Sequence, residues 1–298
     1  MDLKISDCRI RKVVEIERLE IPAKLIFADF KAELYSYART RLDPRLLGAQ
    51  DGSIAVSFHS YLVQTVGINI LVDTCHGNHK PRQGIAAMGN HLDTDYLGGL
   101  SKLGMRREDI DVVFCTHLHY DHVGWNTMLD NGLWVPTFPR ARYLISRKDY
   151  DHFNVVSKHN PAFPGIECIR DSVTPVVEAG LAEFVDPGDG FELGRDLWFE
   201  AAPGHTPGCA NLHIGRNGAR AVFSGDVIHH AIQMLDPRLH VNDEFDSELG
   251  YSSRMHLLNY CAGEDVVLLT GHFPTPTGGR VSAGGGTGNA YDFEFINA

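Results

Sequence analysis

The sequence predicts an α/β fold in which two β-sheets are covered by helices. Two observations carry that expectation. Short strand-like apolar runs cluster early in the chain and again late, with helical segments interspersed. Several of these runs also stop in polar, mostly glycine-containing turns: Asp73-Thr74, His117 to His122, Gly204 to Gly208, Gly225-Asp226 and Gly271-His272. Side chains at strand ends on one sheet edge converge, and loops on such an edge commonly carry function.

Taken in order, residues 1–50 mix charged and apolar positions and read as an N-terminal extension. Within it, Val13 to Leu19 alternates as a strand does, and Asp29 to Arg41 reads as a helix or an irregular arm. Ile54 to Phe58, Ser60 to Thr65 and Ile68 to Val72 read as strands, with Gly67 marking a hairpin. Residues 77–93, rich in Gly, His and Pro, read as a loop framing the site. Tyr96 to Leu103 is helix-like, and Asp111 to Cys115 is a buried strand. Arg142 to Ser146 is a further strand, followed by a helix through Phe153 that Pro161, Pro164 and Gly165 interrupt. Asp196 to Ala201, Ala219 to Ser224 and Val266 to Thr270 complete the strands, and 227–250 reads as a second framing loop. No repeat and no linker divides the chain, so 1–298 is expected to be a single domain.

A formal charge of −11, with no basic stripe, argues against nucleic acid as a partner. The short mixed run Lys102 to Arg107 reads as a solvated helix end. No stretch approaches the apolar length of a membrane span, and Met1-Asp2-Leu3-Lys4 is unlike a secretory leader. The expected setting is therefore the cytoplasm. The six cysteines form no C-x-x-C pair and read as reduced core thiols. Oligomeric state is open, a homodimer being the commonest symmetric assembly.

The chemistry concentrates at Thr116-His117-Leu118-His119-Tyr120-Asp121-His122, directly after Val112-Val113-Phe114-Cys115. It packs three histidines and an aspartate into six residues of a chain with 16 His in 298, a density chance rarely gives. Imidazole and carboxylate are the usual ligands of borderline divalent metals. His205, set among the glycines of Pro203 to Gly208, Asp226 after Gly225 and His272 after Gly271 add donors at other strand ends. Together they make five His and two Asp, enough for two metals with open positions for water.

The motifs His117-x-His119-x-Asp121-His122, Gly204-His205-Thr206-Pro207-Gly208, Gly225-Asp226 and Gly271-His272 resemble, in order, those of the metallo-β-lactamase-fold hydrolases. The Leu71 to Thr74 turn extends the likeness upstream. The resemblance implies a four-layer αβ/βα sandwich with two metal ions, usually zinc but also manganese, iron or cobalt, at the sheet edge. His117, His119 and His205 would bind one ion, Asp121, His122 and His272 the second, and Asp226 would bridge them. Asp226 lowers the β-lactamase reading, since true β-lactamases lack that bridge. The acidic charge disfavours an RNase Z-like nuclease. Gly284-Gly285-Gly286 and Asn289 do not continue as the helical region of glyoxalase II. Trp125 and Phe273 to Pro276 look closest to quorum-quenching lactonases and methyl-parathion-hydrolase-like enzymes. One departure stands out: where the lactonases carry tyrosine three residues after the bridging aspartate, this chain has His229. That histidine could donate the same hydrogen bond or simply pack nearby.

Two such ions would lower the pKa of a shared water and present hydroxide at neutral pH, to attack a small ester or lactone. Asp121 would orient that nucleophile and move its proton. The same site could act on a phosphotriester or thioester, or serve only as a metal- or ligand-binding module. Asp73 is a candidate acceptor for a ligand imidazole's second nitrogen, or else an ordinary turn residue. Trp125, Phe273 and Met234-Leu235 could form an apolar pocket wall, though each is more often core. Cys115, Cys209 and Thr116 read as buried small residues, and His76, His79 and His91 as exposed loop histidines. His152, His159, His213, His230, His240 and His256 read as structural or surface groups.

Overall fold

The computed structural model describes residues 1–27, 29–82, 86–189, 191–194, 196–216, 220–284 and 291–296. Gly285, Gly286 and Asn289, read above as non-helical, lie outside the described residues. Two seven-stranded sheets and a two-stranded hairpin accompany the helices. The chain divides into two compact units, one formed by residues 2–15 and 58–189, the other by 16–57 and 190–298 together with Met1. Two strands, Cys8–Pro22 and Ser53–Thr65, contribute residues to both.

In the first unit, Ile68–Val72, Val112–Phe114, Arg142–Ser146 and Ala182–Val185 pair in parallel, in register through Val72↔Phe114 and Phe114↔Leu144. Parallel strands are normally covered on both faces and read as continuous apolar runs. Ile70-Leu71-Val72 and Val112-Val113-Phe114 are buried at every position, as that rule requires. Leu71, Val113, Tyr143 and Ile145 pack with Tyr96, Leu100 and Phe153, which project from the helices Tyr96–Lys102 and Arg147–His159. Thr65↔Ile68 closes the hairpin at Gly67, whose φ of 80° is the conformation that favours glycine.

The described part of 77–93 is fastened to residues outside it through Lys80 and Arg82. Asp171 accepts two bonds from Arg82, at 2.6 and 3.0 Å, while Lys80 reaches Thr127 Oγ1 at 2.7 Å and lies 3.8 Å over the Trp134 ring. Burial lowers the Lys80 ammonium to about 8, against the pull of Asp171. A short helix, Ala86–Gly89, interrupts the segment.

In the second unit, Leu197–Ala201, Ala210–Ile214 and Arg220–Phe223 run antiparallel, and Arg220–Phe223 then pairs in parallel with Val266–Leu269. Gly279–Ala283 and Tyr291–Phe295 extend the sheet. Between Arg220–Phe223 and Val266–Leu269 the 18-residue helix Ser247–Glu264 is capped by the Asp246 side chain on the Leu249 N–H. Its fully buried Arg254 holds the 227–244 stretch by donating to the carbonyls of Val227, Pro237 and Leu239 and to Glu244. That stretch also contains the helical turn Ile232–Leu235.

Two elements differ from the sequence expectation, and His76, read as an exposed loop histidine, is buried. Ser53–Thr65 is one strand rather than two, because Ser57, His59 and Ser60 are buried within it instead of breaking it. The hairpin Thr127–Asp130 and Leu133–Pro136 turns on Asn131-Gly132, both at positive φ, the pattern of a type I′ turn. Trp125, Phe273, Met234 and Leu235 are all buried, as core residues are, and His76, His213 and His230 are buried as well.

His230 yields a pH prediction. Its ring is fully buried, with Nε2 at 2.7 Å from the Leu46 carbonyl and Nδ1 accepting from the Ile232 N–H, so the neutral ring satisfies both bonds. Burial pushes its pKa from 6.5 down to about 4, against the Leu46 hydrogen bond. Its stabilising contribution is therefore complete above pH 6.5 and is lost as pH falls toward 4. Denaturant titrations are expected to show up to about 3 kcal/mol of acid-sensitive stability from this group. The His230→Leu variant should be less stable overall, with a flatter slope across that window.

Candidate metal centre

In the first unit, Asp73 and the segment 117–122 leave neighbouring parallel strands at the same end, after Val72 and Phe114. Asp73 adopts a left-handed φ of 56°, which aspartate tolerates better than most residues. Its carboxylate accepts from the Thr116 N–H at 2.7 Å, the Thr116 hydroxyl at 2.9 Å and His122 Nδ1 at 2.8 Å. Since the Thr116 hydroxyl donates to Asp73, it is the acceptor toward His117 Nδ1, 3.1 Å away. Both imidazoles thus carry their proton on Nδ1, the tautomer in which Nε2 can coordinate a metal. The Leu118 N–H bonds buried Asp149 at 3.2 Å, fixing the turn between His117 and His119. The His117 ring lies 4.8 Å from that of His119 and 4.0 Å from that of His122. Asp121, less buried than the histidines, lies 3.7 Å from His122 Nε2. Of the two alternatives for Asp73, the contact with His122 Nδ1 fits the imidazole acceptor.

In the second unit, the donors again stand at strand ends. Asp226 and His272 each follow a parallel strand by three residues, and His205 lies in the connection joined by Ala201↔Ala210. Asp226 is surrounded by three imidazoles. His272 Nε2 is 3.0 Å from its Oδ1, while His229 Nε2 and His205 Nε2 are 3.0 and 3.5 Å from its Oδ2. His205, Asp226 and His229 have donor atoms mutually within 4.8 Å, and all are buried. His272 Nδ1 faces the Ser57 carbonyl at 3.2 Å, so this imidazole too can hold its proton on Nδ1. Buried carboxylate and imidazoles crowded this closely fit the donor chemistry of a divalent cation. Gly204 is required by contact: a Cβ there would lie 2.2 Å from the Gly250 backbone. His229 is held by its N–H on Gln233 Oε1, and its Nδ1 has no hydrogen-bond partner among the described residues.

The sequence model of the metallo-beta-lactamase superfamily matches residues 58–272, most of the chain. The chain belongs to that superfamily. Its metallo-β-lactamase fold is shared with the dizinc quorum-quenching lactonase AidC, at a TM-score of 0.77 and 20% identity over 100% of this chain and 98% of that one. The hydrolase AbOPH of the beta-lactamase superfamily gives a TM-score of 0.79 at 20% identity, over 100% and 97%. In sequence, the chain is 24% identical to an N-acyl homoserine lactonase of Bacillus cereus over 227 residues, 71% of this chain and 79% of the relative. It is 25% identical to a probable metallo-hydrolase of Methanocaldococcus jannaschii over 177 residues, 59% and 68% of the two. Membership supports a hydrolase, and the His/Asp clusters suggest a divalent metal site.

Sequence reasoning did not single out Asp149 or Glu15, whose contacts are long-range and carry no local signal, nor Gln233, whose bond to the His229 N–H spans four residues. His76 is packed against the Phe58 and Tyr120 rings rather than exposed, whereas His91 is exposed. Removing the shared carboxylate of Asp73 is expected to loosen both His117 and His122. Asp73→Asn should weaken divalent-metal affinity by about ten- to hundredfold, as losing a ligand's hydrogen-bond partner typically does. Competition against a chromogenic chelator measures it, and unchanged affinity would reduce Asp73 to a turn former.

Proposed function

We propose that this chain is a dinuclear metal-dependent hydrolase that cleaves a small ester or lactone. The observation that carries the metal reading is the Nδ1 tethering of His117, His122 and His272 to oxygen acceptors, the usual support of metal-bound imidazoles. On the family's pattern, His117, His119 and His205 hold one ion, Asp121, His122 and His272 the other, and Asp226 bridges. Zinc suits this nitrogen and oxygen donor set. Relatives named as N-acyl homoserine lactonases support an ester-type bond as the target.

When bound, the ions supply an activated water and polarise the substrate's carbonyl oxygen. Asp121, the more exposed carboxylate, takes the proton of the attacking water and passes it to the leaving oxygen. His229, three residues beyond Asp226, would donate a ring N–H to the substrate oxygen. Among the described residues no helix is long and apolar enough to cross a membrane. We propose a small-molecule substrate met in the cytoplasm, with a homodimer as the assembly for light scattering to test.

Metal analysis is expected to find two ions per chain, with ester cleavage abolished by chelation and restored by zinc. Zero or one ion would favour a binding module. Asp226→Ala should lower both metal content and turnover, and a variant retaining both would remove the bridging role. Across a panel of lactones, aryl esters, thioesters, phosphotriesters and β-lactams, the highest kcat/KM is expected for a lactone or aryl ester. His229→Phe should reduce kcat/KM by about ten- to a hundredfold with metal content intact, the scale of one lost transition-state hydrogen bond. No change would make His229 a packing residue.

A further inference from the structure

We propose that Glu15 is a positioning residue for the ligand segment 117–122, acting through the Trp125 indole and the Cys75-His76-Gly77 turn. The inference rests on the metal-centre reading above. Glu15 lies on the strand Cys8–Pro22, far in sequence from every proposed ligand. Its carboxylate nevertheless accepts four bonds from three other segments. The His76 and Gly77 N–H groups lie at 2.8 and 3.2 Å, the Trp125 Nε1–H at 2.6 Å and the Thr94 hydroxyl at 3.4 Å. Two consecutive backbone N–H groups make a small anion cup, and the indole supplies a third strong donor. Burial raises this carboxyl to about 7 while the four donors pull it back, so the group is held in a desolvated place at a cost.

The donors lead directly to the ligands. The turn and the ligand segment are joined by three backbone bonds of 2.7 Å: Thr74 N–H to the His122 carbonyl, Gly124 N–H to that of Cys75, and Trp125 N–H to that of Thr74. The approach is so close that a Cβ on Gly124 would sit 1.8 Å from the His76 carbonyl oxygen. Asp121 and His122 occupy the helical turn Tyr120–Val123, and the turn Gly124–Asn126 follows at once. The Trp125 ring is stacked on Tyr96 at 5.2 Å, and the Tyr96 hydroxyl is bonded to Ser60 at 2.6 Å. The indole therefore has one seat, from which its N–H reaches Glu15. A single carboxylate thus clamps both sides of the joint from which Asp121 and His122 project.

The test is a double-mutant cycle on the full chain, with zinc affinity measured by chelator competition and Tm measured in parallel. Glu15→Gln and Trp125→Phe are each expected to weaken zinc binding by about tenfold, the scale seen when support of a ligand is removed. The double variant should be no weaker than the worse single one, because both changes cut the same link. Equal zinc affinity in all four proteins, with only Tm lowered, would overturn the proposal, as would fully additive losses. If Glu15→Gln does not fold, Trp125→Phe, which keeps the aromatic ring, decides by itself: unchanged affinity overturns the proposal. Failure of the wild-type chain to take up zinc would instead overturn the metal-centre reading.

Discussion

Everything proposed for the 117–122 segment depends on one buried carboxylate, that of Asp73. Two of its three bonds go to Thr116, the residue that opens the segment, and the third goes to His122, which closes it. The segment is therefore pinned at both ends to the neighbouring strand. A run of imidazoles would otherwise repel burial, since each ring carries a donor and an acceptor that need partners. Asp73 and Thr116 engage the Nδ1 side of two rings, and that leaves a common orientation for Nε2. The left-handed backbone at Asp73 is the local cost, and the three bonds offset it.

The second unit solves a similar problem from the opposite direction. There the carboxylate lies at the middle and the imidazoles surround it, with His205, His229 and His272 all within 3.5 Å of Asp226. Parallel pairing of Arg220–Phe223 with Val266–Leu269 brings Asp226 and His272 side by side, each three residues beyond its strand. In both units the clustered histidines and carboxylates stand just beyond strand ends.

That dependence on strand ends explains which features could be read in the sequence. The ligand cluster was legible because its donors are contiguous, and Asp226 and His272 because each follows a short apolar run and a glycine. The helix Ser247–Glu264 was not. Its buried positions, Gly250, Arg254, Leu257, Leu258 and Cys261, have helical spacing, but two of them are a glycine and an arginine that no apolar pattern reveals. The strand Ser53–Thr65 was split at His59-Ser60 for the same reason, since its buried polar residues look like a break. Asn131-Gly132 did carry a local signal for its hairpin. Glu15 carried none, because its partners lie 61 to 110 positions away.

The cysteines carry a last consequence. All six thiols are buried and none is in a disulfide. Burial pushes Cys115, Cys168 and Cys261 up to about 12 and raises Cys75 well above the ordinary thiol value. Such groups stay protonated at neutral pH and are poor nucleophiles and poor partners for soft ions. The protein can therefore be handled in air and against alkylating reagents with little effect on its native state. Soft ions such as cadmium or mercury would find no ready thiolate at these four positions.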